Sequence, residues 1–534
     1  MKKFPICAIA FFAMMLALSC NNGSENESTG AYNGPPYTIK VEEYVNPKLP
    51  ALHSYTHAVY KDMIIMFGGR VNGLHVSYNF GRGNANKTIY VIDTKNWSDP
   101  AGWTVSSMPA SRIMLPNINT AQFIANNAEF FTDDSTLYVM GGLVGANVPT
   151  KLRDAANPRS GVVLVTTAKS DDGKPPTGPI TLPYLTAVNL PALVDMVVNN
   201  KAMPLNSIRQ VMDTSLGVTG GEVSMTDKNV QLVFGWNFST PPGPFGPGDR
   251  YTHQIRSFSY KDDGKTLTMT PVTVCKTCWD GESDTSTNGN FRRRDGSMSA
   301  MIDPADGSPF LLYYSGVFKG GGTNFDSPVW IGKGTAAEQG FVMRSNVYTC
   351  QVVPVYCKSK NAAYATLLGG MKNANYTGAA ITKPILLTDK NDTIIAADNT
   401  FNHVPFTNQF STVVVDAKHV FSQYLLPDSF PNTKTPITLP ASAADSIGPA
   451  ILPPGSVAYN GAESELIWIL NSGLMPHGVI DYDAFIKANP AGAVIGYLHG
   501  GILSALTNAF GAPAGHYTVA SNRIFAVRLV PVGK

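Results

Sequence analysis

One pattern occurs six times in this sequence and constrains the fold more than any other feature. A polar and apolar alternation leads into a tight turn, a strongly apolar run and then, in most copies, a glycine pair. The six apolar runs occupy residues 63–69, 136–142, 230–236, 310–316, 363–370 and 466–473. Each copy predicts a β-hairpin whose second strand is buried on both faces and ends at a sharp turn.

Two further strand-like runs follow most of the hairpins. The clearest are residues 88–93 with 103–105, and residues 254–260 with 267–269. Four strands per unit, repeated around a circle, define a β-propeller. We therefore predict an all-β protein with six four-stranded blades. The one helix that the sequence predicts, residues 191–200, falls in an insertion of the second unit.

Closure of the ring is predicted from the two ends of the repeat region. The strand-like run at residues 37–41 precedes the first copy, and the run at residues 523–531 follows the last. Neither run has a hairpin of its own. We expect both to join the sixth blade, so that residues 37–534 form a single propeller with loop insertions.

The hairpin, the apolar run and the terminal Gly-Gly resemble kelch repeats over about residues 50–530. Two segments, residues 68–75 and residues 293–295 with 314–318, look like parts of a group of exported bacterial proteins of unestablished activity. The resemblance implies a kelch-like β-propeller and export. It transfers no catalytic residue to this chain.

The N-terminal residues 1–19 predict a signal peptide, with Lys2 and Lys3 before an apolar stretch that is short for a membrane span. The border Leu-Ala-Leu-Ser-Cys20 resembles a bacterial lipoprotein signal, and residues 20–36 would form a flexible tether. We expect a lipid on Cys20 that anchors the protein to a membrane of the cell envelope. The outer membrane is the expected location. The alternative is ordinary cleavage, which gives a soluble periplasmic or secreted protein.

The remaining cysteines are even in number, as expected in an oxidising compartment. Cys275 and Cys278 have CxxC spacing, which also fits a redox pair or half of a metal site. The sequence has no second CxxC and no histidine pair at ligand spacing. We therefore expect no metal, and local disulfides Cys275–Cys278 and Cys350–Cys357.

Charge argues against nucleic acid as a partner. Charged residues are 15% of the chain, the formal net charge is +2, and no long basic block occurs.

Candidate ligand-binding residues follow from propeller geometry. Because strands alternate in direction, the loop after each second strand lies on the face where the first strands begin. The candidates on that face are Arg70, Asn72, His75, Trp236, Asn237, Arg292, Arg294, Lys319 and His477. His75 is either a general base or an ordinary loop residue.

The densest charged cluster is Arg292-Arg293-Arg294-Asp295. It either pins one blade to the next or binds an anionic group of a sugar. Strand alternation predicts that Arg293 pairs with Asp295 and that Arg294 is available to a ligand.

Two functions remain open from the sequence. The first is a binding module for a glycan or protein partner, without a cofactor. The second is a carbohydrate-active enzyme on a kelch-like scaffold, similar to sialic-acid mutarotases or copper-radical galactose oxidases. The oxidase interpretation requires a tyrosine crosslinked to cysteine and histidine copper ligands.

Overall fold

A computed structural model confirms the all-β prediction: six antiparallel sheets form a six-bladed β-propeller. The described residues are 34–74, 84–145, 151–152, 163–164, 180–238, 249–278, 289–317, 319, 324–395, 404–441, 447–470, 473–508 and 514–532. The repeats are consistent with the kelch type.

The strands are numbered along the chain, beginning with β1 (Tyr37–Tyr44). Blade 1 contains β2 (Thr56–Tyr60), β3 (Met63–Phe67), β4 (Thr88–Asp93) and β5 (Thr104–Pro109). The segment of blade 2 contains β6 (Asn126–Asp133), β7 (Thr136–Val144), β8 (Lys151–Leu152), β9 (Val163–Leu164), β10 (Ile180–Thr181), β11 (Tyr184–Asn189) and β12 (Ile208–Met212). The segment of blade 3 contains β13 (Glu222–Thr226), β14 (Asn229–Val233), β15 (Trp236–Phe238), β16 (Asp249–Tyr251), β17 (Ile255–Asp262), β18 (Leu267–Met269) and β19 (Thr273–Val274).

Blade 4 contains β20 (Met298–Ile302), β21 (Pro309–Tyr313), β22 (Val329–Gly332) and β23 (Thr335–Glu338). The segment of blade 5 contains β24 (Val352–Cys357), β25 (Ala362–Leu368), β26 (Ala374–Tyr376), β27 (Ile385–Leu386), β28 (Asp392–Ile394), β29 (Gln409–Asp416) and β30 (Phe421–Ser429). The last segment contains β31 (Ile437–Leu439), β32 (Ala450–Leu452), β33 (Tyr459–Trp468), β34 (Ile480–Asp481), β35 (Ala493–Ser504), β36 (Thr518–Ala520) and β37 (Ile524–Pro531). The α-helices are α1 (Leu190–Asn199), α2 (Tyr482–Ala488) and α3 (Ala514–Tyr517), and the 3-10 helices are Pro100–Gly102, Ala110–Arg112, Thr120–Ile124, Thr214–Leu216, Lys358–Lys360 and Pro476–Gly478.

The innermost strands, which face the propeller axis, are β2, β6, β13, β20, β24 and β33. The second strand of each blade lies between two neighbouring blades and is largely buried, as in β25, where all seven residues are buried. We call the end of the propeller that carries the glycine pairs the glycine face. The opposite end, where the first hairpins turn, is the hairpin face.

The glycine pairs are required because the chain turns there in crowded space. Gly68 and Gly69 have φ values of 65° and 76°, and a Cβ on Gly69 would lie 2.6 Å from the Cβ of Tyr55. Only glycine adopts such a conformation without steric cost. In blade 3, Phe234 occupies the position of the first glycine and still has a φ of 56°.

The predicted closure is confirmed. Strand β1 pairs with β37 in antiparallel fashion from Tyr37↔Pro531 to Tyr44↔Ile524, as the outermost strand of blade 6. Beside this pair the guanidinium of Arg523 donates to both carboxylate oxygens of Glu43, at 2.6 and 2.8 Å. A buried bidentate pair of this kind fixes the register of the closing strands.

The predicted helix is also found, as α1. The side chain of Asn189 accepts the N–H of Ala192 at its start, and Asn200 ends the helix with a φ of 55°. Its apolar side packs against the core between blades 1 and 2.

The sequence assignment of blade 6 was wrong. Residues 466–473 were predicted as the second strand of the sixth hairpin, but Leu466 and Ile467 belong to the innermost strand β33. The true second strand is β35, which carries its own pair, Gly500 and Gly501. Residues 469–492 separate the two strands. Met475 and His477 therefore follow a first strand and lie on the hairpin face, opposite the predicted side.

Candidate functional site

A closed ring of backbone hydrogen bonds surrounds the propeller axis near the glycine-face ends of the innermost strands. One residue per blade takes part: Ser54, Asn127, Gly220, Asp295, Thr349 and Glu463. We call these six residues the axial ring. Each N–H donates to the carbonyl oxygen of the preceding member, and the N–H of Ser54 closes the ring by donating to Glu463, with N···O distances from 2.8 to 3.5 Å. Five of the six have φ between 49° and 64°. This left-handed conformation directs the backbone N–H and C=O groups along the ring.

A second polar layer lies two residues beyond the ring on each chain. Its members are Thr56, Glu129, Glu222, Ser297, Gln351 and Glu465. All except Thr56 line a cavity on the propeller axis. Every blade thus contributes a polar residue at this level, where blade packing alone would favour apolar ones.

The cavity, here called the axial cavity, has a volume of 630 Å³. Axial-ring residues form its floor, and the second polar layer forms its wall. Toward the hairpin face it is lined by Phe130, Phe131, Trp468 and Leu474. The cavity therefore combines a polar interior with a partly aromatic mouth.

Glu463 is the most strongly bonded carboxylate of the axial ring. Its Oε2 accepts from Nδ1 of His53 at 2.7 Å and from the Ser54 hydroxyl, and its Oε1 accepts from the Tyr348 hydroxyl. Burial raises the pKa of Glu463, but the electrostatic interaction with His53 and these hydrogen bonds outweigh it and lower the pKa to about 2. Glu463 therefore supplies a fixed negative charge beneath the cavity.

Asp295 is the second acidic member of the ring. Its Oδ2 lies 3.4 Å from Nε of Arg294, and its Oδ1 accepts from the amide of Asn127 at 3.3 Å. Burial raises the pKa of Asp295 to about 6, although the charge of Arg294 opposes the shift. Asp295 therefore titrates close to neutral pH.

The three glutamates of the second layer differ from the ring carboxylates. Burial raises the pKa of Glu129 and of Glu465 to about 8, and it raises the pKa of Glu222 well above its usual range. The charge of Glu463 adds to the shift at Glu465. With a pKa of about 8, Glu129 and Glu465 are mostly neutral acids at pH 7, which can donate a hydrogen bond as well as accept one, and burial shifts Glu222 in the same direction.

A loop crosses the mouth of the axial cavity. We call residues 473–479 the strap, because they run across the hairpin face from blade 6. The N–H of Met475 donates to the carbonyl of Val479 at 2.7 Å and closes the loop. Nδ1 of His477 lies 2.9 Å from Oγ1 of Thr226, at the end of β13 in blade 3. Blades 3 and 6 stand opposite each other, so this hydrogen bond spans the axis.

The residues predicted on the glycine face are mostly integrated into the fold. Arg70 is buried, donates from Nε to Oδ1 of Asn72 at 3.2 Å, and interacts electrostatically with Glu463. Lys319 is half-buried, with Nζ 3.9 Å from Oδ1 of Asp326. Asn237 is half-buried, and His75 lies outside the described residues.

Arg294, Trp236, Tyr251 and Arg292 form one stack, in which the two aromatic rings lie between the two guanidinium groups. The guanidinium of Arg294 lies 3.8 Å from the ring centroid of Trp236, and that of Arg292 lies 3.7 Å from the ring of Tyr251. Trp236 and Tyr251 themselves stack at 5.7 Å. Arginine on an aromatic face is a stabilising arrangement, so this stack has a structural role.

The predicted pairing within the arginine cluster was wrong. Arg293 is fully buried and structural, but it donates to the carbonyls of Asn290, Ser315 and Ser327, while Arg294 is the partner of Asp295. The prediction assumed strand geometry at these positions. They precede β20, and the φ of 49° at Asp295 breaks the alternation.

One of the two predicted disulfides is present. Cys275 and Cys278 are bonded, with their Cα atoms 5.2 Å apart. Cys350 and Cys357 are buried free thiols, which contradicts the second prediction. They lie at opposite ends of β24, and seven residues of extended chain span about 23 Å. A disulfide requires Cα atoms within about 7 Å.

Comparisons with known proteins give no assignment: no family model and no curated protein matches this chain. Within the described ranges, no group of three or more His, Cys, Asp or Glu side chains is arranged to hold a metal ion. No helix in the same ranges is long and apolar enough to span a bilayer.

Sequence reasoning missed the acidic residues of the axial cavity. None of Glu129, Glu222 and Glu465 was among the predicted site residues. A signal was present for Glu129 and Glu222, because each lies twelve residues before the first position of the glycine pair of its blade. Glu465 lies 35 residues before Gly500, so only the strand register of the structure, Glu465↔His499, places it in the same layer.

Proposed function

We propose that this protein is a ligand-binding module of the bacterial cell envelope and that the axial cavity is its binding site. The propeller fold is compatible with this role, because it converges side chains from six blades on one concave site. The observation that carries the proposal is the cavity wall, where hydroxyl, amide and neutral carboxyl groups face a space of 630 Å³.

The ligand that fits this wall best is a small glycan. Glu222 and Glu465 can donate hydrogen bonds to hydroxyl groups, and Gln351 can both donate and accept. Phe131 and Trp468 at the mouth offer apolar surface for one face of a sugar ring. A protein partner remains the alternative ligand, and its contacts would then lie on the surface around the mouth.

The site is tested with a panel of monosaccharides, namely glucose, galactose, mannose, N-acetylglucosamine and sialic acid, by saturation-transfer NMR and calorimetry. Gln351→Leu removes a donor and an acceptor from the wall and should weaken binding about tenfold. Gln339→Leu, on the outer rim after β23, is the matched control. If no sugar binds saturably, or if both variants behave alike, the proposal fails.

We further propose that Cys20 carries a lipid that tethers the propeller to the envelope, with the outer membrane as the expected location. The support is the Leu-Ala-Leu-Ser-Cys border and the polar residues that follow it. Mass spectrometry of the mature N-terminus should find a diacylglyceryl cysteine. An unmodified terminus would indicate the soluble periplasmic or secreted form.

A carbohydrate-active enzyme is the second candidate. Glu222 and Glu465 come from opposite blades, line the same cavity, and have pKa values raised by burial. Such carboxyl groups are suited to proton transfer near neutral pH. An NMR assay of anomeric exchange in the sugar panel tests this function, and Glu465→Gln should abolish any catalysed rate.

A further inference from the structure

Blade 3 has one apolar face and one polar face, unlike a blade packed on both sides. The side chains that face blade 2 are apolar, namely Val223, Met225, Val230, Leu232, Phe258 and Tyr260. Most of the alternate positions on the same three strands are polar, including Ser224, Thr226, Asn229, Gln231, Ser257 and Ser259, whereas Val233 and Ile255 near the glycine face are apolar. A polar face between two blades forgoes the apolar packing that normally joins them.

These polar side chains form a row across the blade. Ser224 pairs with Gln231, Gln231 with Ser257, and Ser257 with Thr273, so the four lie side by side on β13, β14, β17 and β19. Adjacent strands are about 4.8 Å apart, which gives the row a length of about 14 Å from the axis outward.

Three members of the row, Ser224, Gln231 and Ser257, line an open cleft between blades 3 and 4 with a volume of 390 Å³, and Thr273 lies beyond them on the outermost strand. We call this space the interblade cleft. Its opposite wall is apolar and contains Pro309, Leu311 and Ile331 of blade 4. Toward the glycine face, Val233 and Tyr313 belong to a buried cluster that closes the interface between the blades.

Both ends of the interblade cleft are bounded. At the outer end, the Thr277 hydroxyl, within the Cys275–Cys278 loop, donates to the carbonyl of Gly334 in blade 4 at 2.7 Å. At the inner end, His477 of the strap lines both the cleft and the axial cavity. The first contact joins blade 3 to blade 4, and His477 limits the cleft at its inner end.

The cleft carries little charge. None of its described lining residues is acidic, and its one lysine, Lys333, is paired with Asp306 at 2.6 Å. Hydroxyl and amide groups both donate and accept hydrogen bonds without a net charge. The cleft therefore selects neutral ligands with a polar edge and an apolar face.

We propose that the interblade cleft binds a neutral, linear oligosaccharide. Its hydroxyl groups would meet the row from Ser224 to Thr273, and its ring faces would lie against Leu311 and Ile331. An extended peptide fits less well, because peptides add to the edge of a sheet, whereas this row lies on a sheet face. The site is separate from the axial cavity and does not depend on the proposed function.

The test uses the full chain and linear neutral hexasaccharides built from glucose, mannose, galactose or N-acetylglucosamine, with binding measured by calorimetry. At least one should bind saturably, and Gln231→Ala and Ser257→Val should each weaken it about tenfold. Ser259→Val is the matched control, on the same strand and face but outside the cleft lining, and should bind as the wild type does.

The outcomes distinguish this site from the axial cavity. Gln351→Leu should leave hexasaccharide binding unchanged, whereas a loss in that variant alone would assign the sugar to the axial cavity and overturn the proposal. Absence of saturable binding to all four hexasaccharides, or binding only of a neutral glycine-serine peptide, would also overturn it. If Ser257→Val fails to fold, Gln231→Ala decides the result.

Discussion

His477 of blade 6 and Thr226 of blade 3 are joined by a hydrogen bond of 2.9 Å across the propeller axis, although 251 residues separate them in the chain. This contact holds the strap over the mouth of the axial cavity. It also places His477 between that cavity and the interblade cleft. One loop, which is fixed at its far end by an exposed contact, therefore borders both spaces.

Thr226→Val should loosen the strap without unfolding the propeller. Loss of one exposed hydrogen bond costs about 1 kcal/mol, roughly fivefold in the opening equilibrium. Hydrogen exchange should become faster in residues 473–479 and stay unchanged in β25. Thr268→Val, at an exposed position of β18, is the control. Equal exchange in the two variants would contradict a role of this contact in holding the strap.

The second prediction concerns pH and Glu129. Its pKa is 4.5 in an ordinary environment and about 8 in the fold. The folded state therefore binds more protons between these values, and stability should fall as pH rises, by up to about 1.4 kcal/mol per pH unit for each such group. Glu129→Gln should match the wild type near pH 4.5 and exceed its stability near pH 8.

Urea unfolding at pH 5, 6, 7 and 8 measures this slope. Glu42→Gln changes an exposed carboxyl of β1 and serves as the control. A Glu129→Gln variant with the wild-type slope would mean that Glu129 is ionised in the folded protein, against the assignment of a neutral acid.

The third prediction separates Arg293 from Arg294. Arg293→Met leaves three carbonyl groups without their donor and should cost on the order of 3 kcal/mol. Arg294→Met should cost less, because Asp295, with a pKa of about 6, can take up a proton when its partner is lost. Thermal unfolding of the two variants at pH 6 gives the order of stabilities, and the reverse order would contradict the hydrogen-bond assignment.

The fourth prediction concerns the cysteines. Alkylation after denaturation without reductant, followed by peptide mapping, should label Cys350 and Cys357 and leave Cys275 and Cys278 unlabelled. Replacing both members of the Cys275–Cys278 pair with serine should cost about 2 kcal/mol, because the loop that it closes is short. A peptide containing a Cys350–Cys357 bridge would refute the position of these residues at opposite ends of β24.

The fifth prediction concerns closure. Deletion of residues 523–534 removes β37 and leaves both β1 and β35 with unpaired edges. The truncated protein should lose its cooperative thermal transition, whereas deletion of residues 21–33, which precede the propeller, should not affect it. A cooperative transition near the parental temperature in the first variant would show that blade 6 is not needed to hold the ring.

The repeat predicted the number of blades, because the glycines that end most of the apolar runs mark turns that few other residues tolerate. The two terminal runs without a hairpin of their own predicted the closing strands. The repeat misassigned the second strand of blade 6, because residues 469–492 separate β33 from β35, the strand that carries Gly500. The arginine pairing failed because the left-handed conformation of Asp295 arises from the axial ring, a contact among blades that no local pattern encodes.

The predicted Cys350–Cys357 disulfide could have been excluded from the sequence. The hairpin that ends with the apolar run at residues 363–370 requires a strand directly before its turn, and an extended strand there holds Cys350 and Cys357 too far apart for a disulfide. The pairing of the cysteines was judged from their number and spacing alone. The predicted secondary structure was therefore a better guide to the pairing of Cys350 and Cys357 than the spacing of the cysteines.

The pairing of β1 with β37 also fixes the order of events when the chain is made. Residues 37–44 leave the ribosome early, and their partners follow only after 479 further residues. At typical synthesis rates of about 5 to 20 residues per second, that delay is roughly 25 to 95 seconds. During this delay the eight-residue segment that forms β1 has no pairing partner. Lys40, Glu42 and Glu43 place charge along that strand, which discourages it from associating with other nascent chains.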